Sequence, residues 1–307
     1  MAINKAMRAA LKAISYPDLN VKKNYQSLRQ MKKITSPKLP FYRTWDHKVM
    51  CGGHEVPVRL FAPKECPAGL LVFFHGGGWV TGDIDSYTRV CAYMARATGH
   101  LVISVDYRLA PEHKFPAALE DCYAVAKEVC AYSSLFEMEQ GNVTLIGDSA
   151  GANLAAAVSL MARDRGEFMP SAQILLYPAT YNDHSETSPF RSVHTNGTGY
   201  LLTAKRICDY MDLYQSESED RCNPYFAPLV AKTLKDQPRT LIITAQYDPL
   251  RDEGEAYARR LAQDNNAVEM HRIADALHGF FVLPPRFIHV KRAYRYINDF
   301  LNMEETQ

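Results

Sequence analysis

Gly147-Asp148-Ser149-Ala150-Gly151 sets a serine between small residues at the junction of two unlike segments. Before it runs Asn142-Val143-Thr144-Leu145-Ile146, rich in β-branched residues, and after it Ala152-Asn153-Leu154-Ala155-Ala156, a helix former. A serine on so sharp a strand-to-helix turn has its hydroxyl pushed out into a cleft, and no Cβ fits where the turn closes on itself. Ser149 is therefore the candidate nucleophile. Its hydroxyl needs a base to remove the proton, and the base needs an acid to orient it. The chemistry of such a set is acyl transfer.

His278, in Leu277-His278-Gly279-Phe280, is the candidate base, because a loop after the last predicted strand lets an imidazole reach over a sheet. The other nine of the ten histidines lack that position. His289 falls in a helix, His271 in a strand, His113 at a helix start, and His184 and His194 in an insertion. His75 belongs to a glycine loop, and His47, His54 and His100 lie away from the C-terminal strand ends. Asp248 follows the strand Thr240–Ala245 and is the candidate acid, holding the imidazole tautomer and stabilising the imidazolium. Asp252 competes, but with Glu255 three residues on it reads as a capping box for the next helix.

His75-Gly76-Gly77-Gly78-Trp79 follows the apolar run Leu70–Phe74. Successive glycines let backbone N–H groups converge on one spot, as an oxyanion requires. The N–H of Ala150 is expected to add a donor. Phosphate binding would need G-x-G-x-x-G or Gly-Lys-Ser/Thr, and neither follows. Trp79 and Phe280 are candidate pocket residues, with core packing as the competing reading. Asp148 is expected to brace the serine turn by hydrogen bonds. Asp106-Tyr107-Arg108-Leu109-Ala110-Pro111-Glu112 reads as a hydrogen-bonded structural loop.

From about residue 55 onward strands and helices alternate. The predicted strands are Val56–Phe61, Leu70–Phe74, Leu101–Asp106, Asn142–Ile146, Gln173–Leu176, Thr240–Ala245 and Val268–Ile273. Runs such as Leu70-Leu71-Val72-Phe73-Phe74 suit strands buried on both faces. The predicted helices are Ser86–Ala97, Pro116–Tyr132, Ala150–Arg165, Ala204–Tyr214, Glu253–Asp264 and Ile288–Leu301. The expected fold is α/β, a mostly parallel sheet with helices on both faces, binding ligands beyond the carboxyl ends of its strands. Residues 1–45 read as an amphipathic helical segment, with Met7, Ala10, Leu11 and Ile14 on one face, then a Lys/Gln-rich stretch. Residues 181–214 read as an insertion whose helix is capped by Thr203. The two are expected to pack together as a cap over a catalytic domain of residues 46–307.

The net charge of +1 over 307 residues gives no reason to expect nucleic acid or stable membrane association. No apolar run reaches the length of a membrane span, and residues 9–14 build no signal-peptide core. The seven cysteines show no C-x-x-C spacing, which fits free thiols in a reducing cytoplasm and no metal centre. The glycosylation patterns at Asn142 and Asn196 carry no meaning in an unsecreted chain. A homodimer through a sheet edge or the C-terminal helix is compatible with the sequence.

These fragments resemble the hormone-sensitive lipase family of α/β-hydrolases. The matches are His75–Trp79, Tyr107–Glu112, Gly147–Gly151, Asp248–Asp252 and His278–Phe280, and Ser149, Asp248 and His278 follow in the α/β-hydrolase order. The resemblance implies hydrolysis of carboxylic esters of short acyl chains, without cofactor or metal. It implies Gly77, Gly78 and Ala150 as oxyanion donors, Ser149, Asp248 and His278 as the triad, and an N-terminal helical cap. The same triad would serve an amidase, a formamidase or a sugar O-deacetylase. Plant hormone receptors of this family keep the pocket and lack the histidine, whereas this chain retains His278. No broad apolar surface segment points to a long-chain lipase.

Overall fold

In the computed structural model, residues 20–35, 44–132 and 142–302 are described. Eight strands form one sheet in the order β1-β2-β4-β3-β5-β6-β7-β8. They are β1 (Thr44–Cys51), β2 (His54–Phe61), β3 (Leu70–Phe74), β4 (Leu101–Val105), β5 (Val143–Asp148), β6 (Ala172–Leu176), β7 (Arg239–Tyr247) and β8 (Val268–Leu277). The first hairpin is antiparallel to β4, and the other strands are parallel. The helices are α1 (Val21–Thr35), α2 (Ile84–Thr98), α3 (Ala117–Ala131), α4 (Ala150–Arg165), α5 (Arg191–Asn196), α6 (Ala204–Tyr214), α7 (Arg251–Gln263) and α8 (Ile288–Asn302).

The period of two along β3 divides the core. Leu70, Val72 and Phe74 pack toward α3 and α4, and Leu71 and Phe73 toward α2 and α8. All five are fully buried, which explains the unbroken apolar run. Truncating Phe73 to Ala would cost about 3–5 kcal/mol through the cavity it leaves. Helix α4 is apolar or small nearly all round and lies buried beneath the sheet's central strands.

Register puts the chemistry in one place. Phe74 pairs with Gly147, and Asp148 with Leu176. The glycine loop therefore leaves β3 level with the serine turn leaving β5. The last two strands carry an irregularity between Ala245 and Tyr247, and Tyr247 pairs with Leu277. That pairing sets Asp248 and His278 side by side.

All seven predicted strands and all six predicted helices form, with ends shifted by at most four residues. Strand β1 was not among them, because it is an exposed edge of mixed polarity. Thr203 does cap α6, its side chain accepting from Arg206 N at 3.2 Å. The predicted capping box of Asp252 and Glu255 does not form. Leu250 is the N-cap of α7, so Asp252 falls inside the helix. It accepts from Ser192 N and Arg251 Nε instead, each at 2.7 Å. The segment between β6 and β7 runs past residue 214, through short 3-10 turns at Ser218–Cys222 and Pro228–Val230. Met7, Ala10, Leu11 and Ile14 lie outside the described residues.

Candidate active site

Ser149 has φ 56° and ψ −118°, a left-handed conformation unusual for a residue with a Cβ. Its own N–H donates to Leu176 O at 2.8 Å, and its carbonyl accepts the Asn153 N–H at 3.0 Å. The turn is tight enough that a Cβ on Gly151 would lie 1.9 Å from Phe74 O. A glycine is required there by close approach of backbone.

His278 Nε2 lies 2.9 Å from Ser149 Oγ, and His278 Nδ1 lies 2.7 Å from Asp248 Oδ2. With its proton on Nδ1 facing the carboxylate, the imidazole offers Nε2 to the serine hydroxyl. Asp248 is fully buried, and its other oxygen accepts the Leu250 N–H at 2.9 Å. Asn196 of α5 donates to Asp248 O at 3.1 Å, which ties the insertion to the acid loop. The Tyr177 ring stands edge-on to the His278 ring at 4.9 Å. Asn196 and Tyr177 carried no signal in the sequence, since each is defined only by what the fold brings to it.

The glycine loop is held from behind. Gly76 N donates to Asp148 Oδ1 at 2.7 Å, and Tyr87 OH to Asp148 Oδ2 at 3.1 Å. The expectation that Asp148 braces the turn is met, and its reach extends to the neighbouring loop. Burial pushes the Asp148 carboxyl up, and the Gly76 and Tyr87 donors oppose the shift. Burial raises the Tyr87 and Tyr177 hydroxyls well above their ordinary range, with the nearby Asp148 charge adding to it. His75 is enclosed, stacks on Tyr107 at 4.3 Å, and is driven by burial down to about 4. Tyr107 OH donates to His75 O at 2.6 Å. With the Gly76 N–H occupied, Gly77 and Gly78 are the loop residues beside Ser149 that line the cavity. Gly77 has φ 132°, and a Cβ on it would meet Thr81 O at 1.8 Å. Ala150, at the start of α4, adds a backbone N–H at the positive end of a helix.

A cavity of about 440 Å³ opens over Ser149, lined by Gly77, Gly78, Ala150, His278 and a mostly apolar wall. Trp79 belongs to that wall, and its ring stacks on Tyr214 at 4.6 Å. Phe280 does not. It is 2% exposed and packs against Tyr177 at 5.3 Å. Gly279, at φ 78°, turns the chain so that the phenyl ring enters the core beneath His278. Helix α1 contributes Leu28, Met31 and Lys32 to the wall, and α6 contributes Ile207 and Tyr210. Lys22 of α1 pairs with Asp212 of α6. Arg29 anchors α1 to the body, donating to Val80 O and Ala110 O at 2.7 Å each and binding Glu112 through both oxygens.

Among the described residues, Cys51, His54 and Asp121 bring their ligand atoms within 4.8 Å of one another. Both Asp121 oxygens also accept from Arg108, at 2.8 to 3.1 Å. The donor set is that of an ion-pair network, with Arg108 where a metal would have to compete.

Residues 71–282 match the family described as alpha/beta hydrolase fold. An arylesterase of Saccharolobus solfataricus is 35% identical over 261 residues, covering 84% of each chain. An ethyl acetate hydrolase of Pseudomonas putida is 35% identical over 233 residues, covering 74% of this chain and 72% of that one. Among solved structures, a hyperthermophilic esterase from the archaeon Pyrobaculum calidifontis superposes with a TM-score of 0.88 at 35% identity, covering 100% of both chains.

Proposed function

The chain belongs to the hormone-sensitive-lipase-like carboxylic ester hydrolases of the alpha/beta hydrolase fold, and on that premise we propose that it is a serine esterase for short acyl chains, acting through an acyl-enzyme. The observation that carries the reading is the unbroken line from Ser149 Oγ through His278 to the buried Asp248 carboxylate, at 2.9 and 2.7 Å.

Ser149 Oγ attacks the ester carbonyl while His278 Nε2 takes its proton. The Asp248 carboxylate stabilises the imidazolium. The carbonyl oxygen, now negative, lies against the N–H groups of Gly77, Gly78 and Ala150. Each such donor is worth on the order of 3 kcal/mol in the transition state. His278 then protonates the leaving alcohol, and the ester bond breaks. His278 Nε2 then takes a proton from water as the water oxygen attacks the acyl carbonyl, and gives that proton to Ser149 Oγ as the acyl–Oγ bond breaks and the carboxylic acid leaves. The elbow and the oxyanion loop are preorganised, since Asp148 joins them and neither needs to move.

Short acyl preference is supported by the modest cavity and by Trp79, which the Tyr214 ring backs at 4.6 Å so that it cannot easily yield. The name of the ethyl acetate hydrolase points the same way. Residues 1–45 and the insertion act in this reading as a cap over the catalytic body, with α1 and α6 as its described walls. The reducing cytoplasm suits seven free thiols.

The test is turnover of p-nitrophenyl esters from acetate to palmitate by the wild type and Ser149→Ala. The expected result is a maximum at short chains that vanishes in the variant. An unchanged rate in Ser149→Ala refutes the nucleophile. Turnover of amides with none of any ester refutes the substrate class.

A further inference from the structure

The loop that follows the base leaves apolar side chains in solvent. Val282, Leu283, Phe287 and Ile288 are 46%, 40%, 40% and 53% exposed. They are consecutive but for Pro284, Pro285 and Arg286. Val282 and the exposed Met31 both line the catalytic cavity, so this loop forms part of its mouth. Large apolar side chains clustered in solvent mark an interaction site, whereas scattered ones do not.

The charge around the loop is one-sided. From residue 276 to residue 298 the chain has no Asp or Glu, yet it carries Arg286, Lys291, Arg292 and Arg295. All four are exposed. Helix α2 adds the exposed Arg89 and Arg96, which share a recess of about 310 Å³ with Val282 and Leu283. Of these six cations, Arg295 faces Asp299 at 3.8 Å. The whole chain has a net charge of only +1, so the concentration is local.

We propose that residues 282–292, with Arg89 and Arg96, dock reversibly on an anionic lipid surface. The apolar side chains enter the headgroup layer and the cations meet its phosphates. A second copy of this chain is a poor occupant. A two-fold contact through this face would bring two patches of the same positive sign together, and like charges repel across an interface. A neutral membrane would leave the cations without partners. Docking here turns the mouth of the cavity toward the lipid, so an ester dissolved there reaches Ser149 without crossing bulk water. No helix among the described residues is long and apolar enough to cross a membrane, so the attachment is peripheral.

The experiment is sedimentation of the full chain with vesicles of phosphatidylcholine and phosphatidylglycerol, against vesicles of phosphatidylcholine alone, at low and high salt. The expected result is binding to the anionic vesicles only, weakened by salt. Arg286→Gln and Arg292→Gln should each weaken it about fivefold. Phe287→Ser and Ile288→Ser should weaken it too, while turnover of p-nitrophenyl acetate in vesicle-free buffer stays unchanged. Equal binding to both vesicle types, binding to neither, or binding untouched by these substitutions would overturn the proposal. A concentration-dependent dimer dispersed by the same substitutions would also overturn it, in favour of self-association.

Discussion

Helix α4 buries thirteen of its sixteen residues, whereas α1 buries Val21 alone among the twelve from residue 21 to residue 32. Both border the same cavity. The first starts at Ser149 and is held by apolar area and close packing on every side. The second crosses above and is held by a few polar anchors, chiefly Arg29 and Lys22. The serine turn and the glycine loop are thus tied into a core that spans the molecule. The walls that meet the rest of the substrate are tied on from outside. Chemistry and selectivity therefore rest on parts of different stability, and substitutions can separate them.

The largest effect is expected in the buried region, at Ser149, Asp248 and His278. Asp248→Asn keeps the size of the side chain but favours the wrong imidazole tautomer, so kcat should fall by about 10⁴-fold with thermal stability near that of the wild type. A fall of less than tenfold would remove Asp248 from the mechanism. Gly77→Ala comes next. Its Cβ would meet Thr81 O at 1.8 Å and force the loop away from the oxyanion, lowering kcat by about 10² to 10³ with little change in KM.

Arg29→Ala should act on the other side of the comparison. Loss of its bonds to Val80 O, Ala110 O and Glu112 loosens α1, and kcat/KM should fall roughly tenfold, about the worth of one charge-assisted hydrogen bond. Lys at that position should recover only part, since an ammonium cannot fork across three acceptors. Unchanged burst amplitude at Ser149 would show that the serine turn and glycine loop stay intact, and a lost burst would erase the distinction between the two regions.

The last effect should appear in the pH dependence of stability. His75 is buried and lowered from 6.5 to about 4. Below pH 6.5 the unfolded chain takes up a proton that the folded chain refuses. Stability contributed by this group is therefore complete above 6.5 and is lost as pH falls toward 4, by up to about 3 kcal/mol. His75→Phe should flatten the decline of Tm across that window, and a slope equal to the wild type would remove His75 as its source.

The buried region was the legible one. Leu70–Phe74 and Thr240–Ala245 announce themselves as strands because both faces are covered, and Gly147–Gly151 announces a turn because only small residues fit. The outer region was legible only in part. Strand β1, with Trp45, Asp46, His47 and Lys48 mostly in solvent, has no periodic pattern for burial to impose. Arg29 looked like one cation in a Lys/Gln-rich stretch, since its acceptors are carbonyls contributed 51 and 81 residues later. The choice of core over pocket for Phe280 and the helix position of Asp252 were illegible for a shared reason. Each residue sits just past a turn whose local geometry, αL at Gly279 and an early helix start at Leu250, decides the direction of the side chain.

In this mechanism the acyl group passes through Ser149. The most direct test is to quench the enzyme with acid during turnover of p-nitrophenyl acetate and map the acetylated peptide by mass spectrometry. The expected result is one acetyl group on Ser149, absent from Ser149→Ala. Steady turnover with no acetyl on Ser149, or with acetyl on another residue that turns over at the catalytic rate, would contradict it.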